Sequence, residues 1–171
     1  MNRILPQTLV PELKVDTLDD APFVLSEQKP EHFTFLFFYR GLHCPLCAGQ
    51  LQDLDKHHDD FTGLGIHLIA VSCDSRERAE TSRAKWHLEK LRIGYGLTID
   101  QAREWDLYVS QAIKDDEPAV FSEPALYVIR PDGELYATAV QSMPFTRPGA
   151  KELLGAFRYI IPHGYPGRGE A

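Results

Sequence analysis

Cys44 and Cys47 stand two residues apart in the run His43-Cys44-Pro45-Leu46-Cys47, a spacing that suits reversible dithiol-disulfide chemistry. The thiolate is the attacking species in such chemistry, so whatever stabilises it governs reactivity. Pro45 has a fixed φ and no N–H, which fits the first position of a helix. A helix start offers unpaired N–H donors and about half a positive charge to a neighbouring anion. Two cysteines placed there can bring their Cα atoms to roughly the 5.5 Å that a disulfide needs. Cys47, Leu51, Leu54, His58 and Phe61 recur on one helical face, so Cys47 points inward and Cys44 is expected to be the more exposed. On that basis Cys44 is the first nucleophile and Cys47 resolves the mixed disulfide. Arg40 and His43 are the nearby side chains that could support a thiolate. The pair could instead be half of a zinc site completed by His57 or His58; no second Cys pair exists, and no metal or cofactor is expected. Cys73 follows an apolar run and reads as a small core residue.

These residues need elements to hold them. Phe33 to Tyr39 is almost wholly aromatic or branched, the composition of a strand buried on both faces. The helix behind Pro45 should run to about Asp60, where Gly63 and Gly65 stop the pattern. Ile66 to Val71 is a second strand. Asp74, with Glu77 three residues on, resembles a capping box for a helix from Ser75 to about Lys90. Leu97 to Ile99 reads as a short third strand, and Asp100 as the cap of a brief helix over Gln101 to Leu107. Lys114 to Pro118 reads as an acidic, solvated loop. Ala125–Ile129 and Glu134–Val140 form a hairpin across the turn Arg130-Pro131-Asp132-Gly133. A last helix starts near Thr146 to Pro148 and ends before Pro162, leaving 163–171 as a loose tail. The order implies one α/β domain over 1–171, with a central mixed sheet that is mostly parallel and takes an antiparallel edge from the hairpin. Helices cover both faces, and the Cys pair lies beyond the carboxyl end of the first strand, where α/β sheets bind ligands.

Composition narrows the partners. The chain has 171 residues, 43% hydrophobic, with 18 basic and 25 acidic side chains and a net charge of −7. That balance repels phosphate backbones and anionic lipid, so neither nucleic acid nor membrane is expected. The apolar run at Phe33 is too short to span a bilayer. Three cysteines cannot build a disulfide framework and suit a reducing compartment, which points to the cytoplasm. Two function classes fit: a dithiol enzyme, or a redox-inactive or redox-sensing module that binds a partner through the same groove. Keeping both cysteines favours the enzyme, because a mere binding module has no chemical need for them.

The segment Phe38 to Cys47 resembles the active-site segment of the peroxiredoxin-like branch of the thioredoxin superfamily, the alkyl hydroperoxide reductase/thiol-specific antioxidant (AhpC/TSA) group. Val71 to Ser75, Pro124 to Gly133 and Tyr165 to Glu170 extend the likeness from about Leu13 to Tyr165. It implies a thioredoxin-like fold, a peroxide or a protein or small-molecule disulfide as substrate, an external thiol as reductant, and a homodimer as one assembly to test. In the peroxiredoxin register Arg40 takes the place of a proline, Cys44 that of a threonine and Cys47 that of the peroxidatic cysteine. Pro124 falls where the family has an arginine. In the thioredoxin-like register Pro124 is instead a cis-proline facing the Cys pair, which makes it a third catalytic candidate. Arg40 would then supply the missing positive charge.

Overall fold

The computed structural model describes residues 3–171. Its centre is a strand, β3, at Phe33–Phe38, with all six residues buried. Side chains alternate along it as the pleat requires. Phe33, Phe35 and Phe37, continued by Tyr39, face one apolar cluster, while Leu36 and Phe38 face the other. On one side β3 pairs in parallel with β4 at Ile66–Val71, and on the other it pairs antiparallel with β8 at Ala125–Ile129.

Around that trio the remaining strands are β1 at Lys14–Thr17, β2 at Phe23–Val24, β5 at Arg92–Tyr95 and β9 at Leu135–Val140. The seven-stranded order is β2-β1-β5-β4-β3-β8-β9. Among the described residues only β3/β4 and β4/β5 pair in parallel, so the sheet is mixed and its antiparallel share is larger than the helix-strand alternation implied. Two strands, β6 at Val109–Gln111 and β7 at Val120–Ser122, form a separate hairpin. The expected acidic loop is the tip of this hairpin.

Helices α1 at Pro45–Lys56, α2 at His58–Gly63 and α5 at Ala150–His163 cover the Phe35 face; α3 at Arg76–Lys85 adds Ala79 to the same cluster. α4, at Ile99–Glu104, lies against the Phe38 face with Ala102 and the following Trp105. The helix expected from Pro45 to Asp60 is broken at His57, whose φ of −97° and ψ of 9° leave helical geometry between α1 and α2.

Three local expectations are corrected. The third strand lies at Arg92–Tyr95 and not at Leu97–Ile99, because Gly94 gives it no apolar run to read. A Cβ there would come within 3.0 Å of Val71 and 3.1 Å of Val15. The α3 cap is Ser75, whose side chain accepts from the Arg78 N–H; Asp74 spends its carboxylate elsewhere. The α4 cap is Thr98, in a capping box with Gln101. The tail is tied back: Tyr136 Oη donates to the Tyr165 carbonyl at 3.0 Å and Gln7 to the Gly167 carbonyl at 3.0 Å. Among the described residues no helix is long and apolar enough to cross a membrane.

Candidate active site

β3 ends at Phe38, and the chain turns through Arg40 to His43 before α1 begins. Cys44 is the N-cap residue of α1, extended at φ −105° and ψ 105°, with Pro45 in the first turn. Its Sγ accepts from the Cys47 N–H at 3.3 Å, taking one of the donors a helix start leaves unpaired. Both thiols are free. Cys44 was expected to be the more exposed of the pair; both are covered, Cys44 at 1% and Cys47 at 0% exposed, so surface exposure hardly separates them.

What covers them is Arg147, from the irregular stretch between β9 and α5. Its Nη1 donates to Cys47 Sγ at 3.2 Å and its Nη2 to Cys44 Sγ at 3.6 Å. The fork is held from behind by the Pro144 carbonyl, at 3.2 Å from Nε and 2.9 Å from Nη2, and by Gln50 Oε1 at 3.1 Å from Nη1. No signal local to the Cys pair pointed to Arg147. A search of every arginine for one able to meet the cysteines would have had to reach across 100 positions of sequence.

The two thiols are driven apart in acidity. The hydrogen bond from the Cys47 thiol is the largest influence lowering Cys44; burial opposes it, and Arg147 and the Cys47 backbone N–H add to the lowering, which brings Cys44 from 9.0 to about 5. Cys47 is pushed up, first by burial and then by the neighbouring Cys44, against the opposing pull of Arg147. The arrangement favours the thiolate at the helix cap and the protonated thiol at Cys47 beside it.

Arg40 does not reach the sulfurs. Its Nε lies 3.2 Å from Glu123 Oε2 and its Nη2 3.9 Å from Glu117 Oε1, with the guanidinium carbon 4.9 Å from the centre of the Phe121 ring. Two carboxylates thus meet its charge, and the positive group at the cysteines is Arg147 instead. His43 packs edge-on against Phe121 at 4.7 Å, its ring nitrogens without hydrogen-bond partners. Burial, and then the charge of Arg40, hold its pKa below the ordinary value, so the imidazole is neutral at pH 7.

Pro124 is buried between β7 and β8, just ahead of Ala125, which pairs with Phe38 at the end of β3. It therefore stands beside the strand end that leads to the Cys pair. Its peptide bond is trans, as are all those of the described residues, which corrects the cis expectation; the chain runs on extended into β8, where the trans form suffices. Cys73 is partly buried, with Sγ 3.8 Å from Ser122 Oγ, and burial raises its pKa. His57 pairs with Asp60 at 3.0 Å and Asp53 at 3.7 Å, and His58 with Asp59 at 3.5 Å. Neither joins the cysteines, and no group of three metal-ligating side chains assembles among the described residues.

The AhpC/TSA family pattern matches residues 6–138, from the N-terminal turn through most of β9. The chain belongs to the AhpC/TSA family. A 1-Cys peroxiredoxin of Medicago truncatula is 25% identical over 134 residues, covering 74% of this chain and 59% of that protein. The 1-Cys peroxiredoxin PER1 of Arabidopsis thaliana is 26% identical over 130 residues, 74% of this chain and 57% of that protein. This AhpC/TSA chain thus spans less than six-tenths of the curated relatives it matches. Among solved structures, a cysteine-to-serine variant of the Peroxiredoxin 6 of Arenicola marina superposes with a TM-score of 0.77 at 18% identity, covering 95% of this chain and 76% of that one. Reduced Prx3 of Vibrio vulnificus in complex with H2O2 superposes with a TM-score of 0.75 at 14% identity, covering 90% and 99%. The fold is the thioredoxin-like fold of the peroxiredoxins.

Proposed function

We propose that the protein is a thiol-dependent antioxidant oxidoreductase that reduces a peroxide, or a protein or small-molecule disulfide, by cycling Cys44 and Cys47. The observation that carries this reading is the Arg147 fork laid across both sulfurs at an α1 start that already donates an N–H to Cys44. A cation at that point stabilises a thiolate and then the charge that develops on the departing oxygen or sulfur.

In the peroxide reaction the Cys44 thiolate attacks one oxygen of ROOH. An S–O bond forms, the O–O bond breaks, and RO⁻ leaves to take a proton from water, so Cys44 becomes the sulfenic acid. The Cys47 thiol then attacks that sulfur, forming the disulfide and releasing water with the Cys47 proton. An external dithiol returns both cysteines to thiols and is itself oxidised to a disulfide. With a disulfide substrate, Cys44 forms the mixed disulfide directly and Cys47 resolves it. The cytoplasm, where thiols stay reduced, suits three free cysteines.

The test is hydrogen peroxide consumption with dithiothreitol as reductant, together with the mass of the oxidised protein. The expected result is turnover and a peptide pair joined through Cys44 and Cys47 that is lighter by two hydrogens. Protein that consumes neither peroxide nor a disulfide substrate sinks the proposal, as does oxidation confined to Cys73.

A further inference from the structure

Asp74 is a carboxylate that no step above uses, yet its side chain is 0% exposed. Its Oδ2 accepts from the Leu42 N–H at 2.8 Å, and its Oδ1 accepts from Arg78 Nε at 2.8 Å. Leu42 lies in the turn that delivers Cys44 to α1. Its neighbour Gly41 has φ +134°, and a Cβ there would come within 2.7 Å of Asp74 Oδ2. The carboxylate therefore occupies the space that a side chain at position 41 would need. The turn closes on itself one bond further on, where the Cys44 N–H donates to the Gly41 carbonyl at 3.1 Å. Arg78 carries the tie outward, its Nη2 donating to the Asp116 carbonyl at the tip of the β6–β7 hairpin at 3.3 Å.

We propose that Asp74 is a positioning residue for Cys44: by holding the Leu42 N–H against the missing side chain of Gly41, it sets the turn that makes Cys44 the N-cap of α1. The inference rests on Cys44 being the thiolate. It goes beyond that reading because Asp74 touches neither sulfur. A buried charge is costly unless it is paired and hydrogen-bonded, and Asp74 meets that condition by binding the turn on one side and Arg78 on the other.

Charge and position predict opposite outcomes. A negative group near a thiol disfavours its ionisation, so if Asp74 acted on Cys44 through its charge, removing it would make Cys44 more acidic. If it acts through position, removing it takes Cys44 from the helix cap and makes it less acidic.

The experiment follows peptide-resolved iodoacetamide alkylation of Cys44 against pH in the full chain, for the native protein and for Asp74→Ala, Asp74→Asn and Gly41→Ala, each checked by circular dichroism. Asp74→Ala is expected to move the Cys44 midpoint up by about one unit, leaving it about fivefold less reactive at the native midpoint and about tenfold less well below it. Asp74→Asn keeps an oxygen for the Leu42 N–H and should restore most of the native profile. Gly41→Ala keeps the charge but displaces the carboxylate, and should repeat the upward shift. A midpoint that stays put or falls in Asp74→Ala overturns the proposal. If that variant does not fold, an unmoved midpoint in Gly41→Ala overturns it. A native Cys44 that fails to ionise below neutrality would instead overturn the functional reading, so the two failures are distinguishable.

Discussion

Arg147 sits 100 residues beyond Cys47 in the chain and places its Nη1 3.2 Å from that residue's Sγ. The same planar group spans to Cys44 and rests on the Pro144 carbonyl and Gln50. A guanidinium has five donors in a rigid fork and can serve two sulfurs while anchored behind; an ammonium acts as a point charge.

Replacing Arg147 by leucine should therefore raise the Cys44 midpoint from about 5 by about 1–3 units, the usual effect of losing an opposite charge at this range. Arg147→Lys should recover only part of the shift. The absorbance of the thiolate near 240 nm, titrated against pH, checks both. A leucine variant with the native midpoint would show that the helix start and Cys47 suffice.

The two cysteines should separate cleanly when mutated. Cys47→Ser is expected to react once with peroxide and stop at a Cys44 sulfenic acid that dimedone traps, while Cys44→Ser loses the fast reaction. The opposite outcome, with peroxide chemistry surviving in Cys44→Ser, would assign the nucleophile to Cys47, as the peroxiredoxin register does.

Stability should also depend on pH in a defined direction. The Cys44 pKa falls from 9.0 to about 5 on folding, so the unfolded chain binds more protons between these values. The stabilisation is fully present at the upper end of that window and is lost as pH falls through about 5. Under reducing conditions the melting temperature of the native protein, relative to Cys44→Ser, should rise from pH 5 toward pH 8. A flat difference would mean that Cys44 carries no folding-linked proton. Above 9 the raised pKa of Cys47 acts the other way.

Leu51 is fully buried on the α1 face that packs against the Phe35 side of the sheet. Leu51→Ala should cost about 2–5 kcal/mol, the transfer loss plus the cavity left behind. Urea unfolding monitored by tryptophan fluorescence measures it. A loss below about 0.5 kcal/mol would mean that this face of α1 is not part of the core.

How legible these features are in the sequence depends on how local their causes are. β3, α1 and the β8–β9 hairpin announce themselves through runs, a proline at a helix start and a Pro-Asp-Gly turn, all within a dozen residues. β5 does not, because Arg92 and Gly94 interrupt its apolar character. β1, β2 and the β6–β7 hairpin are too short to carry a period. Within the site, the cysteine pair was visible and its cation was not. Arg40 was the natural candidate by proximity in sequence, but Glu117 and Glu123 claim it. That Cys44 would be covered almost as fully as Cys47 was not legible, because Arg147 arrives from a stretch with no periodicity at all.

The sulfurs and their cation hang from parts of the chain with different backbone security. Cys44 and Cys47 follow β3, whose amides are locked between two neighbours and whose faces are both covered, whereas Arg147 comes from residues 141–149, which belong to no helix or strand. Amides in such a central strand exchange with solvent deuterium only through large openings, while irregular segments exchange through small local ones. The backbone amides of 141–149 should therefore exchange well before those of β3, so the segment that carries the cation can open locally without opening the strand that anchors the nucleophile.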